Sequence, residues 1–267
     1  MILVVLILTL LLLTALYLFV FIRPRATRPY NKQLLCDYAH RGLHDESHPE
    51  NSIIAFNRAC ENGVGIELDV QLSKDKEVMV FHDYTLERMT GVKNKLDHLD
   101  AIELTNLSLK NSSQTIPTLK QVLNLVHGKV PLLIELKGEN LDSSLCPKVA
   151  ELLKDYKGAY CIESFNPFLI KSMRKYLPNA YYGQLYTNVC RDKKKYTLLN
   201  ILLTGMAFNF ISNPDFIAYN ELDRDSVFVK ITTKFYKAKK FVWTVKNKND
   251  IDSAKLYGEN AIFENIE

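Results

Sequence analysis

The sequence predicts an α/β protein, a TIM (β/α)8 barrel preceded by an N-terminal transmembrane helix. Three observations support this prediction. Residues 1–22 form an apolar run without charge. After it, short β-rich runs alternate with amphipathic helical patterns about eight times, as in a parallel barrel with its helices outside. The rest of the 267-residue chain is long enough for one large barrel domain.

Residues 1–22 are the predicted transmembrane anchor. At about 1.5 Å per residue, a helix of this length crosses the roughly 30 Å core of a bilayer. The run has neither the basic start nor the small-residue cleavage site of a secretory signal, so we interpret it as a retained anchor. A buried core helix would instead show a polar face, which this run lacks.

Residues 23–35 are a basic juxtamembrane linker. Four cations follow the apolar run and none precedes it: Arg23, Arg25, Arg28 and Lys32. The positive-inside rule therefore places the C-terminal side in the cytoplasm. The five cysteines are far apart and include no CxxC pair, which fits neither a disulfide framework nor a zinc site. We expect a single-pass membrane protein with a cytoplasmic barrel.

Residues 36–267 are assigned to the barrel domain. The net charge of +4 is modest and partly juxtamembrane, so it gives no indication of nucleic-acid binding. Two short basic runs, at residues 193–195 and 237–240, are interpreted as solvated helix faces rather than lipid contacts. No internal repeat is present, and the sequence does not determine an oligomeric state.

The barrel elements are predicted from hydrophobic periodicity and turn signals. The predicted strands are residues 37–41, 65–72, 77–81, 131–137, 159–164, 180–185, 208–212, 240–245 and 261–263. The predicted helices include residues 52–61, with Ser52 as the N-cap, 118–127 and 145–156. Only a turn at residues 73–76 separates the second and third strands, which predicts a hairpin.

This hairpin brings chemically active side chains together. Folding the chain back places His82 opposite Glu67 and Asp69, which alternate onto the same face of their strand. Glu135 and Lys137 repeat that spacing at the end of another strand, and His40 and Arg41 end the first. Catalytic groups of such barrels gather at the C-terminal strand ends, so we expect all seven residues to converge there.

The residue types indicate a particular chemistry. Paired carboxylates hold a hard cation, histidines move protons, and an arginine grips a phosphate. A strand-end carboxylate can instead pair with a surface lysine, and a single histidine is more often structural. Glu67, Asp69 and Glu135 nevertheless lie in or beside apolar strands, where an uncompensated carboxylate is unfavourable. Together these residues favour metal-assisted cleavage of a phosphate ester.

The chain resembles the glycerophosphodiester phosphodiesterases over nearly everything from residue 36 to 245. The resemblance rests on several motifs in the family's order. They are His40-Arg41-Gly42, Pro49-Glu50-Asn51-Ser52, Ile66-Glu67-Leu68-Asp69-Val70, Ser73-Lys74-Asp75, Val80-Phe81-His82-Asp83, Leu86-Glu87-Arg88, Ile116-Pro117-Thr118-Leu119, Ile134-Glu135-Leu136-Lys137, Ser164-Phe165 and Trp243-Thr244-Val245.

The resemblance implies a TIM barrel of the PLC-like phosphodiesterase type that uses a divalent cation, Ca²⁺ or Mg²⁺. By matching positions, Glu67, Asp69 and Glu135 are the metal ligands. His40 and His82 are the acid and base. The phosphate-binding cations are Arg41 and Lys137, and residues 83–117 are an insertion that covers the active site.

Further positions have more than one interpretation. Glu50 and Asn51 either orient the metal ligands or contact glycerol, or they serve the loop alone. Trp243 forms either an apolar wall of the pocket or part of the barrel core. His44 and His48 are expected to be solvent-exposed. They lie in the loop that follows the first strand.

Two positions depart from the family's pattern. Lys246 stands where the family usually has asparagine after its WTV motif. Glu264, followed by Asn265 and Ile266, replaces the usual aspartate and proline. We expect both changes to alter the rim of the pocket and the substrate preference more than the reaction.

The expected function is hydrolysis of glycerophosphodiesters to sn-glycerol 3-phosphate and an alcohol at a membrane. His40 is taken as the base and His82 as the acid, although the reverse is open, as is the choice between attack by water and by the neighbouring glycerol hydroxyl. The alternatives are a lysophospholipase D acting on membrane lysolipids and a catalytically silent barrel that binds lipid headgroups. Retention of both histidines argues against the silent barrel.

Overall fold

A computed structural model describes residues 1–25, 28–110, 112–138 and 140–264. Within these residues, eight parallel strands close into a barrel, since β1 pairs with both β2 and β9. The barrel strands are β1 (Tyr38–Ala39), β2 (Gly65–Leu72), β4 (Leu132–Leu136), β5 (Tyr160–Ser164), β6 (Tyr181–Tyr186), β7 (Phe216–Asn220), β8 (Lys239–Val245) and β9 (Asn260–Phe263). The predicted TIM barrel is confirmed.

Helices surround the barrel and fill its connections. They are α1 (Ile2–Leu16), α2 (Ile53–Glu61), α3 (Glu87–Thr90), α4 (Ala101–Leu104), α5 (Leu119–Val126), α6 (Leu145–Leu153), α7 (Pro167–Tyr176), α8 (Val189–Lys193), α9 (Leu198–Thr204), α10 (Asn209–Ser212), α11 (Val227–Lys230) and α12 (Lys248–Leu256). Short 3₁₀ turns lie at Lys32–Leu34, Leu96–His98 and Glu221–Asp223, and π-helical turns at Tyr17–Phe21 and Ile231–Phe235.

Local sequence explains several of these boundaries. The Ser52 hydroxyl accepts a hydrogen bond from the amide of Ala55, so the predicted N-cap of α2 is confirmed. Thr118 caps α5 in the same way, with Gln121 completing a capping box. The predicted hairpin is also present, because β3 (Val78–Val80) runs antiparallel to β2.

The strand predicted at residues 208–212 is wrong. Residues Asn209–Ser212 form α10, and the seventh barrel strand lies a few residues later at Phe216–Asn220. A short apolar run does not distinguish a strand from a buried helical turn. Here the run is apolar because it packs against the N-terminal segment, where the Phe210 and Phe21 rings meet edge to face at 5.2 Å.

The first strand is shorter than predicted, Tyr38–Ala39 rather than residues 37–41. His40 still donates its amide to the Phe263 carbonyl at 2.8 Å, but Arg41 then adopts a left-handed conformation with φ of 57°. The chain therefore turns away from the sheet at Arg41. This turn directs its backbone amide towards the centre of the barrel mouth.

Apolar side chains fill the barrel below that mouth. Tyr38, Leu133, Phe216 and Phe241 are fully buried in one cluster inside the barrel. A larger cluster lies between the sheet and the outer helices and includes Leu68 and Ile134. Since period-2 alternation sends Leu68 and Ile134 outward, their neighbours Glu67, Asp69 and Glu135 point inward, above the apolar filling.

Candidate active site

Three carboxylates from adjacent strands converge inside the barrel mouth. Glu67 and Asp69 lie on β2 and Glu135 on β4, with Asp69 directly opposite Glu135 in the parallel register. All three are buried, and one oxygen from each lies within 4.8 Å of the others. Such an all-oxygen donor set fits a hard divalent cation of the Ca²⁺ or Mg²⁺ kind.

The charge balance of these carboxylates also fits a cation. Burial, together with repulsion from Asp69 and Glu135, raises the pKa of Glu67 well above its usual range. Burial raises the pKa of Glu135 to about 7, although Lys137 opposes the change. Two of the three acids therefore lack sufficient positive charge around them, a deficit that a bound divalent ion would offset.

The two predicted phosphate-binding cations lie against the same carboxylates. The Lys137 ammonium is 3.0 Å from Oε1 of Glu135 and 3.2 Å from Oδ1 of Asp69. Arg41 donates its backbone amide to Glu67 at 2.9 Å, and its guanidinium lies 3.6 Å from Asp69. Burial acts to lower the pKa of Lys137, but Asp69 and Glu135 raise it overall, so its positive charge is held firmly.

His40 is held by the carboxylate of Glu264, which directly follows β9. Its Nδ1 lies 3.0 Å from Oε2 of Glu264, and the Lys246 ammonium lies 2.9 Å from the other oxygen. Hydrogen bonds from His40, His44 and Lys246 hold the pKa of Glu264 well below its usual range. Burial lowers the pKa of His40, although Glu264 acts in the opposite direction.

Lys246 and Glu264, the two positions that depart from the family's pattern, thus form an ion pair beside His40. His44 joins it, with Nε2 at 3.8 Å from Glu264 and only 13% of its side chain exposed. The expectation that His44 is solvent-exposed is therefore wrong, because its loop folds back over the barrel mouth. His48 is also partly covered, and its Nδ1 lies 2.8 Å from Asp45.

His82 is held by a second carboxylate and lies close enough to Asp69 to interact with its charge. Its Nδ1 lies 2.6 Å from Oδ1 of Asp83, and Arg88 binds that same carboxylate. The Gln71 side-chain amide is within 3.1 Å of the carbonyl oxygens of Phe81, His82 and Asp83. Gln71 thereby fixes the backbone that carries His82.

Glu50 and Asn51 support this arrangement from the first strand-to-helix loop. Glu50 accepts hydrogen bonds from Arg41 and Arg88 at 2.7 Å, so it joins the barrel to the segment that contains α3. Asn51 is buried and donates to Oδ2 of Asp69 at 2.9 Å. Both side chains therefore position charged neighbours, which agrees with the first of the three interpretations that the sequence allows.

Trp243 is only partly buried, at the edge of the inner cluster. Its indole donates to the Ala218 carbonyl at 3.0 Å, and its ring meets Phe165 edge to face at 5.6 Å. Phe165 lines a cavity of about 940 Å³ that also reaches His82, Glu135 and Lys137. Trp243 therefore supports the cavity wall through Phe165.

Sequence reasoning missed two inward-facing polar side chains. Gln71 follows Glu67 and Asp69 at the same period-2 spacing, which is a signal that it shares their face. Glu163 of β5 lies directly opposite Glu135. Burial, together with repulsion from Glu135 and Asp69, raises the pKa of Glu163 well above its usual range.

Comparison with known proteins agrees with this geometry. The model of the glycerophosphoryl diester phosphodiesterase family matches residues 40–265. A glycerophosphodiester phosphodiesterase from Caldanaerobacter subterraneus subsp. tengcongensis is 36% identical over 159 residues, covering 55% of this chain and 65% of that protein. A lysophospholipase D from Rattus norvegicus is 34% identical over 132 residues, covering 45% of this chain and 41% of that protein. The matched region thus spans less than two thirds of each relative.

Solved structures show the same fold. A phosphodiesterase from Oleispira antarctica, in complex with the product sn-glycerol-3-phosphate, superposes with a TM-score of 0.68 and 23% identity. The match covers 86% of this chain and 92% of that one. A parallel barrel with buried carboxylates at its mouth defines the class: a (β/α)8 protein with an acidic centre. Within that class, the chain belongs to the glycerophosphoryl diester phosphodiesterase family.

Proposed function

We propose that this protein hydrolyses glycerophosphodiesters to sn-glycerol 3-phosphate and an alcohol, in a reaction that requires a divalent cation. The observation that carries the proposal is the buried group of Glu67, Asp69 and Glu135, whose oxygens lie within 4.8 Å of one another and whose Asp69 interacts electrostatically with both His40 and His82. A binding protein has no need of two histidines that are each held by a carboxylate.

Glu67, Asp69 and Glu135 would hold the cation, Ca²⁺ or Mg²⁺. Such an ion, when bound, polarises a nonbridging oxygen of the phosphate. Arg41 and Lys137 stabilise the negative charge that develops on the phosphate in the transition state. Arg41 and Lys137 both contact Asp69. We therefore expect the phosphate of the substrate to bind next to these two side chains.

The two histidines move the protons. His40 takes a proton from the nucleophile, and the Glu264 carboxylate at its Nδ1 stabilises the resulting imidazolium. His82 gives a proton to the departing alcohol, and Asp83 orients its ring in the same way. The contacts at both Nδ1 atoms leave each Nε2 for proton transfer.

Two nucleophiles suit this centre. Water can attack the phosphorus directly, or the glycerol hydroxyl next to the ester can attack first and give a cyclic phosphate that water then opens. A diester whose glycerol lacks that hydroxyl separates the routes. Its hydrolysis at a normal rate would support direct attack by water, and its complete resistance would support the cyclic route.

We also propose that the apolar helix anchors the protein in a membrane with the barrel on the cytoplasmic side. Residues Ile2–Phe21 are apolar along their length, and no residue of α1 is buried. Basic residues of the linker follow this helix at once. Protease added to intact cells should leave the barrel uncut, whereas the same protease should digest it in permeabilised cells.

The central experiment measures glycerol 3-phosphate released from glycerophosphocholine by the purified full-length protein in detergent. Turnover should require Ca²⁺ or Mg²⁺, disappear with a chelator and return when the cation is added back. No release from any glycerophosphodiester or lysolipid, with either cation, would reject the enzyme and leave the barrel that only binds headgroups.

A further inference from the structure

The C-terminal end of the transmembrane helix is docked on the barrel. The Tyr17 hydroxyl donates to the carbonyl of Gly205, just after α9, at 2.5 Å, and the Tyr236 hydroxyl donates to the Leu18 carbonyl at 2.6 Å. Asn209 donates to the Ile22 carbonyl at 2.8 Å, and Ile22 is fully buried. The end of the helix therefore fixes which part of the barrel lies beside the bilayer.

From this docking point the chain continues past the N-terminal ends of the strands. The Arg25 amide donates to the Pro214 carbonyl at 2.7 Å, just before β7, and Arg28 donates to the Asn179 carbonyl, just before β6. Leu34 is buried with the residues that fill the barrel interior. Since the linker leads away from the membrane towards the N-terminal strand ends, the C-terminal strand ends face the bilayer.

Exposed apolar side chains surround the docked helix at this end. In α9, Leu198, Leu199 and Ile201 are 74%, 57% and 50% exposed. On the other side of the helix, Val227 at the start of α11 is 58% exposed. We call these four residues the apolar rim. Large apolar side chains gathered next to a transmembrane segment are unfavourable in water and favourable in a bilayer.

Charge on the rim suits a membrane surface. The exposed Lys193, Lys194 and Lys195 lie just before α9. Lysines beside inserted apolar residues attract anionic headgroups. The basic run at residues 193–195 therefore lies beside the exposed face of α9.

The cavity connects the rim to the carboxylates. Its walls run from His82, Glu135 and Lys137 at one end to Leu199 and Leu203 of α9 at the other. The rim and the active site therefore share α9 as a common wall. A molecule that lies in the bilayer with its phosphate at the surface can reach the centre along this wall.

We propose that the apolar rim is inserted into the lipid bilayer and that the cavity takes single-chain glycerophospholipids directly from it. This substrate class rests on the proposed function, whereas the insertion does not. The phosphate lies at the carboxylates and the acyl chain follows α9. Water's oxygen bonds to phosphorus, the bond from phosphorus to the choline oxygen breaks, and choline leaves with a proton. The other product is an acylated glycerol 3-phosphate.

Photocrosslinking tests the insertion without any activity. The full-length protein carries p-benzoylphenylalanine at position 198 or, as the control, at position 256, in vesicles of phosphatidylcholine and phosphatidylglycerol. Leu256 is 88% exposed at the end of α12, which precedes β9 and so lies at the far end of the barrel. Lipid adducts should form at position 198 and be nearly absent at 256. Equal adducts at both positions, or crosslinks from 198 to a second copy of the chain, would overturn the insertion.

Turnover of two substrates tests delivery from the bilayer. The variant Leu198→Glu/Ile201→Glu changes rim residues that do not line the cavity, and Leu256→Glu is its control. The ratio of lysophosphatidylcholine turnover in vesicles to glycerophosphocholine turnover in solution should fall by about tenfold in the rim variant, or about 1.4 kcal/mol. It should not change in Leu256→Glu. An unchanged ratio in the rim variant rejects delivery through the rim, whereas failure of wild-type protein on both substrates rejects the proposed function and leaves the crosslinking result intact.

Discussion

The two sides of the barrel mouth are built in opposite ways. On the side of β1, β2 and β4, buried charges are fixed by hydrogen bonds, as in the contacts of Asp69 with Asn51 and Lys137. On the side of β6 and β7, the mouth is formed by α8 and α9, and apolar side chains of α9 are exposed. The first side belongs to the rigid sheet and suits chemistry. The second belongs to a connection outside the sheet and suits access, since loops carry specificity while the scaffold positions the reacting groups.

Substitutions can test this difference between the two sides of the barrel mouth. Changes on the charged side should affect soluble and membrane-bound substrates alike. Changes on the apolar side should affect the ratio between them. The four predictions below address the charged side.

The largest effect is expected for the histidines. His82→Ala and His40→Ala should each lower turnover by about 10² to 10⁴-fold, because each removes a proton-transfer group. Cation affinity, measured by calorimetry, should stay as in the wild type. His98→Ala is the matched control, since His98 is an exposed histidine. Near-normal turnover in either active-site variant would refute the acid and base assignment.

The next effect concerns the cation. Glu67→Gln removes one negative charge from the buried carboxylates and should weaken binding of Ca²⁺ or Mg²⁺ by about 100-fold. Turnover should recover partly when the cation concentration is raised. Glu61→Gln, at an exposed position in α2, controls for the loss of a carboxylate. Unchanged cation affinity in Glu67→Gln would exclude Glu67 as a ligand.

Glu264→Gln tests a positioning residue. The Glu264 carboxylate raises the pKa of His40 against the effect of burial, so its loss should lower the pKa of His40 further. As His40 must be neutral to act as the base, the acidic limb of the pH profile should move to lower pH. We expect kcat to fall about tenfold with KM nearly constant. Glu264→Asp should restore part of the rate. If the acidic limb of the pH profile moved to higher pH, the proposed role of Glu264 would be contradicted.

The smallest effect is expected for Arg88→Ala. Arg88 is 46% exposed and bridges Glu50 and Asp83, so its loss should lower the free energy of unfolding by about 1 kcal/mol or less. Burial acts to raise the pKa of Glu50, but hydrogen bonds from Arg88 and Arg41 lower it to about 2, from an ordinary 4.5. This stabilisation is therefore present above the ordinary pKa and is lost as the pH falls towards 2.

Urea unfolding at neutral and at acidic pH measures this contribution. The difference between wild type and Arg88→Ala should be larger at neutral pH than at acidic pH. Lys93→Ala, which removes an exposed lysine that lies 3.8 Å from Glu87, is the control for loss of a surface cation. If the difference in unfolding free energy between wild type and Arg88→Ala grew as the pH fell, the predicted pH dependence would be contradicted.

Much of the fold follows from local signals. Ser52 and the turn at residues 73–76 set a helix start and a hairpin, because capping and turn formation involve only neighbouring residues. The strand prediction at residues 208–212 was wrong because it depended on a contact with a distant part of the chain. Its apolar residues cover the N-terminal segment far away in sequence, and no local pattern records such a contact.

The sequence by itself determined the barrel and the family, and it indicated the seven residues proposed to carry the reaction. Period-2 alternation and the order of the motifs are properties of the sequence alone, so they can be recognised without the structure. Only the tertiary structure decided which groups hold them in place. Glu264 reaches His40 across 224 positions, and Gln71 fixes the backbone of His82. The docking of the apolar helix beside α9 is likewise tertiary, because contacts between distant segments depend on packing and not on local pattern.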